Sequence, residues 1–119
     1  MDLTIVGCGY VGLALVERLQ PRRPQLRLTL TTTSSERLAQ LSPIADRVEL
    51  CDATNPEQLL NALRQSSSAV FCLGPKGDRQ VDANGYRQTF VDSFRCLTSL
   101  LPQLPELRQI VYTGSCSVY

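Results

Sequence analysis

The feature that most constrains the fold is a set of three glycines where an apolar run meets an amphipathic one. Gly7, Gly9 and Gly12 stand between the apolar residues 3–6 and the amphipathic residues 11–19. A parallel strand that turns at once into a helix needs a residue that tolerates positive φ, and the first glycine supplies it. The second removes a Cβ where a phosphate approaches, and the third lets the helix pack closely on its strand. The spacing predicts a site for a dinucleotide pyrophosphate.

The start of the predicted helix belongs to the same site. Tyr10 and Val11 begin it, and the exposed N–H groups of a helix start attract an anion without any lysine. The partial positive charge there is worth about 0.3–1 kcal/mol at a surface site. Gly7, Gly9, Tyr10, Val11 and Gly12 are therefore candidate cofactor-binding residues. The alternative is a tight strand-to-helix turn that binds nothing.

Composition and charge exclude several classes of function. The 119 residues include 12 Lys and Arg, 11 Asp and Glu, and no histidine. The absence of a basic cluster argues against nucleic acid and an anionic membrane surface as partners. Without histidine, this chain has no imidazole base and no zinc site built on imidazole. The five cysteines show no metal-ligand or redox spacing, and no apolar run is long enough to span a membrane. We expect one cytoplasmic domain over residues 1–119.

Hydrophobic periodicity predicts an α/β fold. Apolar runs suited to buried strands lie at residues 3–6, 26–32, 47–51, 69–73 and 109–113, and helical patterns separate them. That alternation indicates βαβ units and a parallel sheet. Right-handed crossovers then give a doubly wound (Rossmann) sheet of five strands in the order 3-2-1-4-5, with helices on both faces. In such a sheet the ligand lies at the carboxyl ends of the strands.

The first three helices carry recognisable boundary signals. We expect the first over residues 10–20, before a proline, and a short second one after Ser34 as its N-cap. Asn55 is placed to cap the third helix, with Pro56 in its first position and Gln58 placed for a capping box.

The fourth helix is the longest, beginning near residue 82 or 84 and ending at Leu101. An apolar stripe runs along it at helical spacing, formed by Tyr86, Phe90, Val91, Phe94, Leu97 and Leu101. We expect this stripe to pack on the sheet, with a partner surface as the alternative.

The end of the second strand indicates which dinucleotide is bound. An NAD-specific site places Asp or Glu there for the ribose hydroxyls, whereas residues 31–35 are Thr-Thr-Thr-Ser-Ser. Hydroxyls of Thr32, Thr33 and Ser34 can donate to a 2′-phosphate, and Arg37 can supply the charge. These residues predict NADP(H) rather than NAD(H). The carboxylate of Glu36 argues against this preference, although an acidic residue at a helix start ordinarily complements the helix dipole. The alternative is a threonine-rich strand followed by a capped helix.

Two further strand ends complete the predicted site. After the third strand, Asp52 can accept a hydrogen bond from an adenine amino group while Ala53 packs near the ring. The same aspartate also suits a turn before the third helix. After the fourth strand, Leu73 offers an apolar edge and Gly74 lets the backbone pass near a ribose, although a turn explains both residues equally well.

The end of the fifth strand carries a family resemblance. Residues 110–119 read Ile-Val-Tyr-Thr-Gly-Ser-Cys-Ser-Val-Tyr. This run resembles the corresponding strand end of extended short-chain dehydrogenase/reductases, the NAD(P)-dependent epimerases, dehydratases and reductases. The glycine motif and the Asp52-Ala53 step agree with that family over the whole chain. The resemblance implies that Ser115, three positions before the Val-Tyr pair, hydrogen-bonds the substrate oxygen at the reacting carbon; Ser117 is the nearby alternative.

The catalytic tyrosine and lysine of that family lie downstream of this serine, and the sequence ends before them. Tyr119 corresponds to the tyrosine of the Val-Tyr pair and not to the catalytic acid. The resemblance therefore implies that this chain is the cofactor half of a larger enzyme. The remaining part would bind a small-molecule substrate, and the fourth helix would form a homodimer surface.

Two other functions fit parts of the pattern. Residues 9–13 resemble the opening of nucleotide-sugar dehydrogenases that use a catalytic cysteine, for which Cys116 is the candidate, but those enzymes carry an acid after the second strand. A nucleotide-sensing domain without catalysis needs the same glycine loop and no tyrosine–lysine pair, but it does not explain Ser115.

Overall fold

The computed structural model describes residues 2–73 and 87–113, which form a five-stranded parallel sheet with helices on both faces. The strands are β1 (Asp2–Val6), β2 (Arg27–Thr32), β3 (Arg47–Leu50), β4 (Ser68–Phe71) and β5 (Gln109–Tyr112). Their order is β3-β2-β1-β4-β5, and every neighbouring pair is parallel. The predicted fold class and strand order are confirmed. The carboxyl ends of all five strands therefore meet at one edge.

Four α-helices connect these strands in the described residues. They are α1 (Tyr10–Leu19), α2 (Leu38–Leu41), α3 (Pro56–Leu63) and α4 (Ser93–Leu100). A 3₁₀ turn, Ser35–Arg37, precedes α2, and another, Leu101–Gln103, follows α4. A π-helical turn, Arg87–Asp92, leads into α4.

The sheet separates two hydrophobic cores, because successive side chains of a strand point to opposite faces. In β1, Leu3 and Ile5 face α1 and α2, where they pack with Val16, Leu28, Leu30 and Leu41. Val6 faces the other side, with Ala69 and Phe71 of β4. That second core is closed by α3 through Leu59, Ala62 and Leu63, and by α4 through Cys96, Leu97 and Leu100. Both faces of the sheet are thus covered over its centre.

The two outer strands are more exposed than the sequence predicted. Leu50 of β3 and Val111 of β5 each keep 45% of their surface exposed, and Ile110 is exposed as well. The strand order places both strands at the edges of the sheet, where only one neighbouring strand is present. On the α1 face, Val111 lines an apolar groove of about 310 Å³ together with Leu15 and Val70. The prediction of buried strands was therefore wrong for the edges.

The apolar stripe predicted for the fourth helix does not face the core as a whole. The buried positions of α4 are Ser93, Cys96, Leu97 and Leu100, whereas Phe94 is 52% exposed and Val91 and Leu101 are exposed too. The π-helical turn contains an extra residue per turn, so the face that enters α4 differs from that of a straight α-helix. Leu97 is common to the predicted and the observed faces. Tyr86 lies outside the described residues.

The polar side chains of α4 explain this orientation. Ser93 Oγ donates to the carbonyl oxygen of Thr89 at 2.5 Å. A serine hydroxyl has one proton, so Ser93 Oγ accepts from the Tyr112 hydroxyl at 2.9 Å. The Tyr112 ring stacks on Phe71, with ring centroids 4.7 Å apart. The serine therefore points at β5 and holds the first turn of α4 against it.

The helix caps confirm one prediction and correct two. Asn55 caps α3, since its side chain accepts from the Gln58 N–H at 3.1 Å, and Pro56 occupies the first position. Gln58 does not complete a capping box, because its Oε1 accepts from the Asp52 N–H at 2.7 Å instead. Ser34 precedes the 3₁₀ turn but makes no side-chain cap bond. Its own N–H donates to Thr32 Oγ1 at 3.1 Å.

Candidate functional site

The turn between β1 and α1 requires glycine at its first position. Gly7 has φ of +81°, and it is the one residue with positive φ among those described. A Cβ added there would lie 2.9 Å from Leu73 Cδ2 and 3.1 Å from the Cys72 carbonyl oxygen. The conformation and the space around it both disfavour a larger residue. The prediction of positive φ at Gly7 is confirmed. Leu73 lies beside this turn, and its predicted contact with a cofactor stays a prediction.

The other two glycines have opposite surroundings. A Cβ on Gly12 would lie 3.2 Å from both Ile5 Cγ2 and Cys8 Sγ, which confirms that this glycine lets α1 approach β1 closely. Among the described residues, a Cβ on Gly9 would meet no atom within 4 Å. Gly9 has φ of −107° and ψ of −142°, so it does not lie in the left-handed region that favours glycine. The open space beside Gly9 is what a phosphate would need.

The first turn of α1 presents backbone donors to this space. The first intrahelical bond runs from Leu13 N–H to Gly9 C=O at 2.9 Å, and Gly9 has no side chain to cap the helix. The N–H groups of Tyr10, Val11 and Gly12 belong to the first turn and have no acceptor within the helix. That turn carries no acidic residue. An anion there would meet N–H donors and no carboxylate from that turn.

Thr31 of β2 holds the turn in place, and the sequence reasoning did not count it as a site residue. Its Oγ1 accepts from the Gly7 N–H at 3.0 Å, and its carbonyl oxygen accepts from the Cys8 N–H at 2.8 Å. The side chain is fully buried. The signal available in the sequence was a hydroxyl residue near the end of the second predicted strand. The hydrogen bond from Gly7 to Thr31, however, depends on the pairing of β1 with β2.

Arg37 joins the second strand end to the glycine turn. Its guanidinium Nη1 donates to the Cys8 carbonyl oxygen at 2.5 Å, although 29 residues separate the two in sequence. Thr32 is buried, whereas Thr33 is exposed and Ser34 half-buried. The structure therefore brings the predicted hydroxyl residues, the arginine and the glycine turn to one corner of the sheet. It leaves Thr33 as the most accessible of the three hydroxyls.

The end of β3 lies beside the end of β2. The Cys51 N–H donates to the Thr32 carbonyl oxygen at 3.0 Å, which places Asp52 at the same edge. Asp52 Oδ1 accepts from the N–H and the hydroxyl of Thr54, at 2.9 and 2.7 Å. This is the turn role considered for that aspartate. Ala53 is buried in the core shared with α3, so its side chain offers little surface to a ligand.

The described cysteines are structural in character. Cys8, Cys51, Cys72 and Cys96 are free thiols. Burial raises the pKa of the Cys8 thiol, against the opposing charge of Arg37. Burial, with the nearby carboxylates of Asp52 and Glu49, raises the pKa of Cys51 to about 12. These thiols stay neutral near pH 7. Within residues 2–73 and 87–113, no group of three or more His, Cys, Asp or Glu side chains could hold a metal ion.

Several predicted residues lie outside the described part of the chain. These are Gly74 after the fourth strand, and Ser115, Cys116, Ser117 and Tyr119 after the fifth. Their proposed roles stay predictions from the sequence. None of the described helices is long and apolar enough to cross a membrane.

Comparisons with known proteins find similarity in structure alone. No family model and no curated protein matches the sequence. A uronate dehydrogenase variant from Agrobacterium tumefaciens, solved with NAD, superposes with a TM-score of 0.72 over 96% of this chain at 19% identity. A UDP-galactose 4-epimerase gives 0.78 over 100% at 17% identity, and the ADP-L-glycero-D-manno-heptose-6-epimerase of Helicobacter pylori gives 0.78 over 99% at 17% identity.

These matches cover less than half of each solved structure. This chain spans 40% of the length of each of the three structures. At such identities the similarity concerns the fold alone. The chain therefore has the doubly wound (Rossmann) fold, which these longer structures also contain.

Proposed function

We propose that this chain binds NADP(H), in preference to NAD(H), as the cofactor-binding part of an oxidoreductase, epimerase or dehydratase of the extended short-chain dehydrogenase type. The observation that carries the proposal is the open space beside Gly9, at the N-terminus of α1 and at the carboxyl edge of the sheet. Two of the superposed structures are epimerases, and the uronate dehydrogenase was solved with NAD.

Backbone chemistry supports the diphosphate part of the proposal. The three N–H groups of the first turn of α1 supply donors, and the helix adds partial positive charge. Gly9 has no Cβ to obstruct the approach, and no acidic residue stands in that turn. When bound, a nicotinamide cofactor supplies or accepts the hydride, and the residues described here bind and orient it.

The preference for NADP(H) rests on the end of β2. No carboxylate stands in residues 31–35, so none of these side chains repels a 2′-phosphate; the first carboxylate after the strand is that of the exposed Glu36. Thr33 is exposed, and Arg37 sits on the glycine turn through its bond to Cys8. Hydrogen bonds to a charged group contribute about 1.5–3 kcal/mol, which corresponds to roughly ten- to a hundredfold in affinity.

Equilibrium titration of the full chain with NADPH and with NADH tests both parts. The chain contains no tryptophan whose emission could be followed. The fluorescence of the reduced nicotinamide itself reports binding. We expect NADPH to bind at least about tenfold more tightly than NADH. We expect Gly9→Asp to abolish binding of both, since a side chain and a negative charge would occupy the phosphate space.

A matched control is Gln65→Asp. Like Gly9→Asp, it introduces an aspartate, but at an exposed position beside the amino ends of the strands. It should bind both dinucleotides as the parent chain does. Tighter binding of NADH would overturn the NADP(H) assignment, and unchanged affinity in Gly9→Asp would overturn the pyrophosphate assignment.

Catalysis and partners extend this proposal beyond the described residues. We propose that residues 1–119 are one domain of a longer cytoplasmic enzyme whose remaining part binds a small-molecule substrate. Ser115 would hydrogen-bond the substrate oxygen there, so Ser115→Ala should lower kcat while cofactor affinity stays unchanged. We propose a homodimer through α4 and the two turns that flank it, supported by the exposed Val91, Phe94 and Leu101. Sedimentation of Phe94→Arg as a monomer, beside a dimeric parent, would support it; a monomeric parent would reject it.

A further inference from the structure

We propose that Thr31 and Arg37 are positioning residues that hold the turn at Gly7, Cys8 and Gly9 in the conformation that receives a diphosphate. Arg37 would then contribute to the binding of NADH as well as NADPH, and not only through a 2′-phosphate. The inference rests on the proposed function and adds to it the residues that prepare the site.

Each of the three consecutive peptide groups of the turn is held by a hydrogen bond. The Gly7 N–H donates to Thr31 Oγ1 at 3.0 Å, and the Cys8 N–H donates to the Thr31 carbonyl oxygen at 2.8 Å. The Gly9 N–H donates to the Gly7 carbonyl oxygen at 2.9 Å. The Cys8 carbonyl oxygen, in the same peptide group as that N–H, accepts from Arg37 at 2.5 Å.

Because the N–H groups of residues 7, 8 and 9 are all engaged within the protein, they are not the donors for a phosphate. The donors are the next three along the chain, in the first turn of α1. The direction in which these N–H groups point depends on the conformation of the preceding turn, and Thr31 and Arg37 hold that conformation. N–H donors that already point correctly in the ligand-free chain need no rearrangement on binding. Their preorganisation therefore raises the affinity for any ligand that carries the diphosphate.

Arg37 can serve the turn and a cofactor phosphate together. A guanidinium has five N–H donors in a planar fork, so the bond to Cys8 leaves donors for a second acceptor. Thr31 has no such second role, because its side chain is fully buried. Loss of either side chain should therefore affect both dinucleotides, with the larger loss for NADPH only in the case of Arg37.

Four variants of the full chain separate these roles. Thr31→Val leaves the Gly7 N–H without its acceptor, while Thr31→Ser keeps the hydroxyl. Arg37→Met removes the guanidinium, while Arg37→Lys keeps a charged donor. Thr4→Val is the matched control, since Thr4 is also a buried strand threonine but donates to Ala62 at 3.2 Å, away from the turn.

We expect Thr31→Val and Arg37→Met each to weaken NADH binding about three- to tenfold, the range of a lost hydrogen bond. Thr31→Ser and Arg37→Lys should recover most of that loss. Thr4→Val should lower the urea midpoint without changing either affinity. If Arg37→Met weakens NADPH alone, Arg37 contacts only the 2′-phosphate and its positioning role is rejected. If Thr31→Val binds as Thr4→Val does, the role of Thr31 is rejected.

Amide hydrogen exchange in the ligand-free chain provides a readout independent of the proposed function. The Gly7 amide should exchange faster in Thr31→Val, and the Gly9 amide in Arg37→Met, with the control unchanged. Unchanged protection in both variants would overturn the inference even if dinucleotides bind. Faster exchange in a chain that binds neither dinucleotide would reject the proposed function while leaving the positioning of the turn supported.

Discussion

Replacement of Gly7 by alanine, compared with the same replacement at Gly9, tests the geometry of the turn directly. Both changes add one methyl group to the same loop, two residues apart. At Gly7 the backbone has φ of +81°, and the new Cβ would lie 2.9 Å from Leu73 Cδ2 and 3.1 Å from the Cys72 carbonyl oxygen. At Gly9 the new Cβ would meet no atom of residues 2–73 and 87–113 within 4 Å.

The size of the effect at Gly7 follows from three contributions. A non-glycine residue in the left-handed region costs about 1–2 kcal/mol. Leu73 is half-buried and can rotate, but the carbonyl of Cys72 belongs to the backbone, so overpacking adds about 1–3 kcal/mol. The lower entropy of the unfolded alanine chain returns about 0.4–1 kcal/mol. We expect Gly7→Ala to lower the free energy of unfolding by about 2–4 kcal/mol.

At Gly9 the expected loss of stability is smaller, below about 1 kcal/mol, because φ is negative and the described residues leave space for a Cβ. Urea denaturation followed by far-ultraviolet circular dichroism measures both variants. In a chain of this length, the loss at Gly7 corresponds to a Tm lower by about 10 °C. Equal stabilities for the two variants would refute the argument from the turn geometry. Titration should show that Gly9→Ala weakens NADPH binding although it keeps most of its stability, because the added methyl group lies in the phosphate space.

Two further predictions concern α3 and the core beneath it. Asn55→Ala removes the side chain that accepts from the Gln58 N–H and should cost about 1 kcal/mol in urea denaturation, whereas Asn55→Asp should keep most of that stability. Burial raises the pKa of Cys51 from 9.0 to about 12, so its contribution to stability is complete below pH 9 and is lost as pH rises toward 12. The urea midpoint should therefore fall with pH above 9, and less steeply in Cys51→Ala; identical slopes would contradict the role of this thiol.

Much of the fold could be predicted because its signals are local. The alternation of apolar runs with helical patterns was sufficient for the five strands, their order and the two helical layers. The positive φ of Gly7 and the Asn55 cap with Pro56 depend on residues within a few positions of each other. Local steric and hydrogen-bonding rules act on such short segments whatever surrounds them.

The errors arose where a hydrogen bond or a buried face depends on residues outside the helix itself. Gln58 was expected to bond within its own helix, but the loop after β3 brings the Asp52 N–H to it. The buried face of α4 depends on the π-helical turn and on the position of Tyr112 in β5, 19 residues from Ser93. The exposure of Val111 follows from the place of β5 at the sheet edge.

The sequence by itself determined the chemistry of the glycine turn, the doubly wound topology and the absence of a carboxylate from residues 31–35. Only the tertiary structure decided what holds the turn. Thr31 and Arg37 lie 24 and 29 residues from their partners, Gly7 and Cys8, and parallel pairing of β1 with β2 brings them together. The physical reason is that sequence periodicity specifies which elements form, whereas a contact between side chain and backbone across two strands requires their register as well.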